Sequence, residues 1–266
     1  MTNGIFCTIN ICAMNTIKII PIFDQSAPKV WNDFLQIRAS AMRYIYDYKM
    51  SSSEYMLAFD EMRNMWHRRR LNFAFGAYQD DRMIGFIQGY GSSQTAIIEN
   101  LYLHPDFMGQ GIGWDLLSRV ERAVTFSAKW VELVALVRAQ PFYERHWYIP
   151  ISRGSNRYTK KLPDKVSGAC VLPVFRLTDA VARACNDIAN KNGNAAISPK
   201  LINQEHVPMF VYLDGMSNVR GYVIGGADKN NSDIVRMELT PNYMTQYISN
   251  KLMNEFVALN SIQKTR

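Results

Sequence analysis

The residues best suited to binding chemistry lie between a β-rich stretch, Ile97–Leu103, and an amphipathic stretch, Trp114–Phe126, that predicts a helix. Glycines tolerate positive φ and let backbone N–H groups converge on an anion. A helix N-terminus adds unpaired N–H groups and the positive end of the helix dipole. The sequence therefore predicts a loop that binds phosphate without a lysine. The loop consists of Met108, Gly109, Gln110, Gly111, Ile112 and Gly113.

Two common phosphate-binding motifs do not fit this loop. A Walker loop requires Gly-Lys-Ser/Thr, whereas Trp114 follows Gly113. A dinucleotide-binding fold places its loop after the first strand of a βαβ unit, with an acidic residue about 20 positions later. Here two predicted helices and several strands, joined by hairpin signals, come before the loop.

Two segments together resemble the GNAT superfamily of N-acetyltransferases. Leu101–Pro105 and the glycine loop match the family's Gln/Arg-x-x-Gly-x-Gly/Ala motif and its preceding hydrophobic strand. The segment Ala139–Arg145 matches its Phe-Tyr-Glu-Lys-x-Gly-Phe helix. The resemblance covers roughly residues 16–162. It implies an α+β fold, the GNAT acyl-CoA N-acyltransferase fold, with a mixed, mostly antiparallel sheet flanked by helices.

The resemblance also implies how acetyl-CoA, the cosubstrate, is bound. The backbone around Leu101, Tyr102 and Leu103 is expected to line the pantetheine arm, and residues 108–113 to hold the pyrophosphate. Two positions depart from the family. Met108 replaces the usual Gln or Arg and removes a side-chain donor to phosphate, and Trp147 replaces the usual Gly, which can reshape the acceptor side.

Two residues are candidate catalytic groups. Glu99 is the only acid on the strand before the loop, and strict alternation places it on the same face as Leu101 and Leu103. It is expected to take a proton from the acceptor amine, and the alternative is a solvent-facing strand glutamate. Tyr143 matches a family tyrosine near the thioester sulfur that protonates the departing thiolate. The alternative is a packed core tyrosine.

The function implied is an acyltransferase that moves an acetyl group from acetyl-CoA to a primary amine of a small molecule or peptide by direct attack. The alternative is a non-catalytic acyl-CoA-binding or regulatory module. The net charge of +7 and the basic run at Arg68–Arg70 also suit a nucleic-acid-associated protein. Because coenzyme A carries several phosphates, a moderate basic excess needs no nucleic acid, and none is expected as a partner.

A second, degenerate copy of the pattern follows the first. When Gly85 is placed on Gly221, Leu103 falls on Leu239 and Pro105 on Pro241 without a gap. In this register the glycines of the loop become Thr245, Tyr247 and Ser249, so the second copy is expected to be structural. It also lacks everything after the loop helix, and we expect it to pack on the first unit or on a partner chain, where it can wall the acceptor cleft.

The expected domains are a catalytic domain at 14–163 and a partial GNAT-like domain at 170–266. Residues 1–13 are expected to be a start-site extension, because Met14 begins the first strand pattern. The four cysteines and four histidines are scattered, which predicts no metal site. No apolar run approaches the roughly 18 residues that span a membrane. A cytoplasmic protein is expected, and a homodimer is possible.

Periodicity predicts the elements of the first unit. Helices are expected at 29–48, 55–70, 114–126 and 141–147. Strands are expected at 17–22, 73–78, 83–90, 97–103, 131–137 and 157–162.

Overall fold

The structure is a computed structural model. It describes residues 17–23, 28–68, 72–91, 94–125, 127–164, 168–175, 177–199, 202, 207–225, 234–241 and 245–263. The start of the first expected domain at Met14, residues 1–13, and Arg69 and Arg70 of the basic run lie outside these ranges.

The first unit is built on a seven-stranded sheet with the order β1-β2-β3-β4-β5-β7-β6. Every neighbouring pair is antiparallel except β4 and β5, which are parallel. This confirms the expected mixed, mostly antiparallel sheet flanked by helices. The strands are β1 Ile17–Pro21, β2 Asn72–Gln79, β3 Arg82–Gly91, β4 Thr95–Leu103, β5 Trp130–Val134, β6 Ile149–Pro150 and β7 Arg157–Lys161. The helices are α1 Pro28–Tyr46, α2 Ser52–Arg68, α3 Ile112–Val124 and α4 Gln140–Arg145.

A capping box formed by Ser51 and Glu54 sets the start of α2. The Glu54 backbone N–H donates to Ser51 Oγ at 3.3 Å, and the Ser51 N–H donates to Glu54 Oε2 at 2.8 Å. Two N–H groups that the helix cannot pair are thereby satisfied. The Tyr48 hydroxyl also donates to Glu54, which links the end of the α1–α2 connection to this cap.

Two helical layers cover opposite faces of the sheet. On one face, α3 buries Leu116, Leu117 and Val120 completely against the strands. Burying a side chain of this size contributes about 1.5–3 kcal/mol. On the other face, α1 buries Trp31 and Phe34, and the Phe34 ring stacks on Phe86 of β3 with centroids 4.1 Å apart. The sheet is thus buried on both sides around its centre.

A β-bulge at Glu99 corrects one prediction. On β3, Gln88 pairs with Asn100, and the next residue, Gly89, pairs with Ile98, so Glu99 has no partner. Because paired residues share a face, the bulge puts Ile98, not Glu99, on the face of Leu101 and Leu103. Strict alternation along the strand was therefore the wrong argument for Glu99, since one extra residue reverses the alternation that follows it.

Most predicted elements are present, with shifted ends. The predicted strand 131–137 was wrong at its end, because β5 stops at Val134 and residues Val137–Ala139 form a 3₁₀ turn. The predicted helix 114–126 begins two residues earlier, at Ile112, because the glycine loop itself enters the first turn. The predicted helix 141–147 ends at Arg145.

The second unit is a four-stranded antiparallel sheet with the order β11-β10-β9-β8. Its strands β8 to β11 are neighbours in the same sequential order as β1 to β4 of the first sheet. Gly85 pairs with Leu103 in the first sheet, and Gly221 pairs with Leu239 in the second. The duplication stays a prediction, and this shared register supports it. The elements are β8 Cys170–Pro173, α5 Asp179–Lys191, β9 Met209–Leu213, β10 Val219–Gly225, β11 Ile234–Leu239 and α6 Thr245–Gln263.

Aromatic residues join the two units. Phe23, which follows β1, packs into the core under α6, and its ring lies 5.6 Å from Phe210 and 5.1 Å from Phe175. Phe175 in turn contacts Phe75 of β2 at 5.4 Å. The second unit therefore packs on the first, on the β1 side of the large sheet. The boundaries 14–163 and 170–266 stay a prediction, supported by the change of sheet between Lys161 and Cys170.

Candidate active site

The site begins where two parallel strands separate. The β4–β5 pairing runs from Thr95 opposite Trp130 to Ile98 opposite Leu133 and then stops, although β4 continues to Leu103. The backbone of residues 99–103 therefore has no strand partner on its β5 side. An unpaired strand edge of this kind offers N–H and C=O groups to an extended ligand.

A cavity of about 130 Å³ occupies the opening between the strands. Predicted site residues from three segments meet in it: Glu99, Leu101, Tyr102 and Leu103 from β4, Met108 from the loop, and Tyr143 from α4. The remaining residues that line it are Ala41, Ile45, Ile98, Leu133, Val134, Leu136 and Ala139.

Several of these lining residues were missed by sequence reasoning. Ala41 and Ile45 belong to α1, and Leu136 follows β5, so each is distant in sequence from the loop. They read as ordinary apolar helix or strand positions, and no local signal marks them. No described residue of the second unit lines the cavity, so the expectation that this unit walls the acceptor cleft is not supported by these walls.

The glycine loop has the backbone that its sequence demands. A short 3₁₀ turn at Pro105–Phe107 is capped by His104, whose Nδ1 accepts from the Asp106 N–H at 3.4 Å. Gly109 and Gly111 then take φ values of 78° and 84°, in the left-handed region that favours glycine.

The same loop points its backbone donors outward. Gly111 is the N-cap of α3 and makes no side-chain cap hydrogen bond. In the described part of the chain, the N–H groups of Gly109, Gln110 and Gly111 have no acceptor. Gly109, Gln110 and Gly111 are exposed, whereas Ile112 and Gly113 are buried. Unpaired N–H groups at a helix N-terminus can bind an anion.

Tyr143 is held rigidly in the wall of the cavity. Its side chain is buried and packs on Phe142 and Tyr148, with ring centroids 5.0 Å and 5.8 Å away. Burial, and secondarily the neighbouring Tyr102, raises the pKa of Tyr143 well above its ordinary value. The phenol is therefore protonated at any physiological pH and can act as a proton donor.

His104 and Arg138, which lie near the site, have structural roles. His104 caps the 3₁₀ turn, as described above. Arg138 donates to the Ile45 carbonyl oxygen at 2.8 Å and so ties the end of α1 to the turn after β5.

Trp147 ends α4 in a Schellman motif, in which the Tyr148 N–H bonds to Tyr143 O and the Trp147 N–H to Glu144 O. Its φ of 66° is the left-handed value for which glycine is the usual residue. Its side chain is 81% exposed. A tryptophan here therefore carries backbone strain without being buried.

Within the described ranges, no group of three or more His, Cys, Asp or Glu side chains is arranged to hold a metal ion. The described helices also include none that is long and apolar enough to cross a bilayer.

Comparison with known proteins identifies the domain that carries this site. Residues 71–149 match the family model described as Acetyltransferase (GNAT) domain. The chain contains a GNAT acetyltransferase domain. The matched range includes Glu99, the glycine loop and Tyr143.

Solved GNAT structures resemble the chain over about half its length. An acetyltransferase of the GNAT family from Staphylococcus aureus is 15% identical, with a TM-score of 0.45, over 56% of this chain and 100% of its own. The PaiA N-acetyltransferase from Thermoplasma acidophilum, in complex with coenzyme A, is 17% identical, with a TM-score of 0.42, over 55% and 99%. A GNAT family acetyltransferase from Brucella melitensis, in complex with acetyl-CoA, is 15% identical, with a TM-score of 0.42, over 56% and 90%. A search of curated proteins finds no match.

The GNAT match ends at residue 149, before β7 and the second sheet. The cavity draws most of its lining from the matched range and adds Ala41 and Ile45 from α1. The α1 helix thus completes the pocket of the GNAT domain from outside the matched segment.

Proposed function

We propose that this protein transfers an acetyl group from acetyl-CoA to the nitrogen of a primary amine on a small molecule or peptide, by direct attack. The observation that carries the proposal is the meeting of Glu99 and Tyr143 in one cavity beside the unpaired edge of β4. The alternative, a non-catalytic acyl-CoA-binding module, predicts binding without turnover.

The described residues fit coenzyme A in two ways. The exposed N–H groups of Gly109, Gln110 and Gly111, at the start of α3, suit a pyrophosphate. The free edge of residues 99–103 suits the amides of a pantetheine arm, which would pair with it as an added strand does. Leu101, Tyr102 and Leu103 are proposed to line that arm, and residues 108–113 to hold the phosphates.

Bound acetyl-CoA supplies the thioester: the amine forms the C–N bond, the C–S bond breaks, and one net proton is released. An alkyl ammonium must first lose a proton to become nucleophilic. Glu99 is proposed to accept it. The bulge exposes Glu99 at the strand edge while it still lines the cavity, so its carboxylate can exchange that proton with water.

Tyr143 is proposed to donate a proton to the departing thiolate. The hydroxyl is protonated at neutral pH, which is the state a general acid requires, and the burial that raises its pKa makes it a weaker proton donor than an exposed tyrosine. Its packing against Phe142 and Tyr148 fixes the ring where Tyr143 lines the cavity.

The second unit is proposed to be structural. Its loop positions Thr245, Tyr247 and Ser249 replace the three glycines, and its helix α6 begins at Thr245 itself. A helix that runs through the loop position leaves no turn to cradle a phosphate. The catalytic domain at 14–163 and the partial domain at 170–266 are proposed on this basis.

Two substitutions test the proposed roles. Glu99→Gln is expected to lower kcat/KM about 10–100-fold at neutral pH, with recovery as rising pH supplies the free amine. Tyr143→Phe is expected to lower kcat at least tenfold while the Kd for acetyl-CoA stays within about threefold. The matched controls are Glu61→Gln and Tyr44→Phe, which change exposed side chains that do not line the cavity.

The measurements are thioester release across pH and calorimetric titration with acetyl-CoA. Unchanged turnover in both variants would remove the assigned roles. Binding of acetyl-CoA by the unmodified protein, with no acetylation of any amine in a broad panel, would favour the binding module.

A further inference from the structure

The charge, size and rim of the cavity limit which amines can bind there as acceptors. The inference rests on the proposed function. We propose that the acceptor is a primary monoamine on an apolar or aromatic body that has neither a carboxylate nor a second amine. Its ammonium group would approach Glu99, and its body would lie against the apolar rim.

The charge of the residues that line the cavity favours an acceptor with a single positive charge. Among the described residues that line the cavity, Glu99 is the one carboxylate, and none is Lys, Arg or His. A free amino acid would bring a carboxylate, and the nearby cations, Arg138 at the rim and Arg38 beside Tyr102, do not line the cavity. A polyamine or an aminoglycoside would bring several ammonium groups for one carboxylate. Desolvating an unpaired charge is costly, so a carboxylate on the carbon next to the amine is disfavoured inside the cavity. A second ammonium group at the mouth would find no second carboxylate among the described lining residues.

The size of the cavity sets the second limit. Its volume of about 130 Å³ is close to that of an apolar cavity of about 150 Å³ that binds benzene. The thioester end of the cosubstrate shares this space. Only the amino group and the adjacent carbons of the acceptor therefore fit inside, and the rest of its body must lie at the mouth.

The mouth is apolar and exposed. Val134, Leu136 and Val137 leave 62%, 42% and 78% of their side chains in water. Arg138, which follows Val137, donates from one guanidinium nitrogen to the Ile45 carbonyl oxygen and so ties the rim to α1, and its positive charge remains at the mouth. Burial raises the pKa of Tyr102; Arg38 opposes this shift, and Tyr46, which is 47% exposed, adds to it and so lies near Tyr102.

Exposed apolar side chains grouped around a cavity mark a binding surface. These four side chains can cover a ring or an alkyl chain that extends from the amine. Contact with a sugar or a charged peptide would bury little apolar surface of these side chains, because such groups stay hydrated.

A second cavity, of about 440 Å³, is a weaker candidate for the acceptor. It is lined by charges of both signs, Lys29, Asp33, Asp81, Arg82 and His104 among them. It shares no lining residue with the first cavity and includes neither Glu99 nor Tyr143. An amine bound there would not be positioned by either proposed catalytic group.

The test compares amines that differ in charge and in apolar surface. 2-Phenylethylamine is measured against phenylalanine, which adds only a carboxylate, and against spermidine, kanamycin and the dipeptide Ala-Gly. We expect kcat/KM for 2-phenylethylamine to exceed the others at least tenfold. A higher kcat/KM for spermidine, kanamycin or a peptide would overturn the acceptor class and leave the proposed function standing. If acetyl-CoA binds and no amine is acetylated, the proposed function fails together with the acceptor class.

A rim variant supplies a readout besides turnover. Val137→Ser is expected to weaken binding of 2-phenylethylamine to the CoA-loaded protein about fivefold by calorimetry, and to leave the Kd for CoA unchanged. The matched control is Val257→Ser, the same change at an exposed position of α6. Equal amine affinity in the two variants would show that the body of the acceptor does not lie on this rim.

Discussion

Two glycines of the loop, given the same substitution, should behave in opposite ways. Gly111 has a φ of 84°, and a Cβ added there would meet nothing within 4 Å. Its substitution is therefore a matter of backbone conformation alone. Gly113 lies inside the first turn of α3, and its added Cβ would meet Leu103 at 3.5 Å and Phe142 at 3.6 Å, which are ordinary contacts.

The magnitudes follow from these two environments. An L-residue in the left-handed region costs about 1–2 kcal/mol, and loss of chain freedom in the unfolded state offsets part of it. Gly111→Ala should therefore lower the free energy of unfolding by about 1 kcal/mol. Gly113→Ala replaces a poor helix residue with the best one and should be neutral or stabilising by up to about 1 kcal/mol.

Binding should separate the variants as well. Where the free loop of Gly111→Ala relaxes out of the left-handed backbone, acetyl-CoA must restore it, and that share of the 1 kcal/mol is lost from binding instead of from stability, weakening acetyl-CoA binding by up to about fivefold. In Gly113→Ala the methyl group points toward Leu103 and Phe142, not toward the exposed donors, so the Kd should stay within about twofold.

The assays are urea unfolding followed by circular dichroism and calorimetric titration with acetyl-CoA. Equal changes in stability and Kd in the two variants would refute the argument that left-handed backbone at Gly111 shapes the phosphate site. A larger loss of acetyl-CoA binding in Gly113→Ala would instead place the ligand on the inner side of the helix turn.

Two further predictions concern stability. Trp147→Gly should raise the free energy of unfolding by about 0.5–1 kcal/mol in urea, because glycine relieves the left-handed backbone at φ 66°; an equal gain in Trp147→Ala would assign the effect to the indole instead. Lys160→Met should lower the free energy of unfolding by about 2–4 kcal/mol, because it removes the cation that pairs with the Glu121 carboxylate at 2.8 Å. Both side chains of this ion pair are under 20% exposed. Arg157→Met, which breaks an ion pair with a 62% exposed arginine, should cost less than about 1 kcal/mol, and similar losses in the two would contradict the role of burial.

Local pattern was enough to predict most of the elements. The capping box at Ser51 and Glu54 marks the start of α2, since both partners lie within one turn of chain. The hairpin between β2 and β3 has the expected position, with the turn at Asp80 and Asp81. Local hydrogen bonding and periodicity settle such features, so the sequence carries them directly.

Features that depend on strand pairing were not predictable in this way. Nothing in the residues of β4 marks Glu99 as a bulge, because the bulge exists only relative to the partner strand. The end of β5 at Val134 was also missed, since the apolar pattern continues through Val137. Pairing with β7 stops at Val134, and the chain turns there.

The sequence by itself determined the glycine loop, its place between a strand and a helix, and the tyrosine of α4. These follow from residue type and short spacing, because glycine at positive φ and a helix N-terminus are local properties. Only the tertiary structure decided that the loop and the tyrosine share a cavity with Glu99 and with Ala41 and Ile45 of α1. The physical reason is the separation of β4 from β5 beyond Ile98, which opens the sheet and lets distant residues line one space.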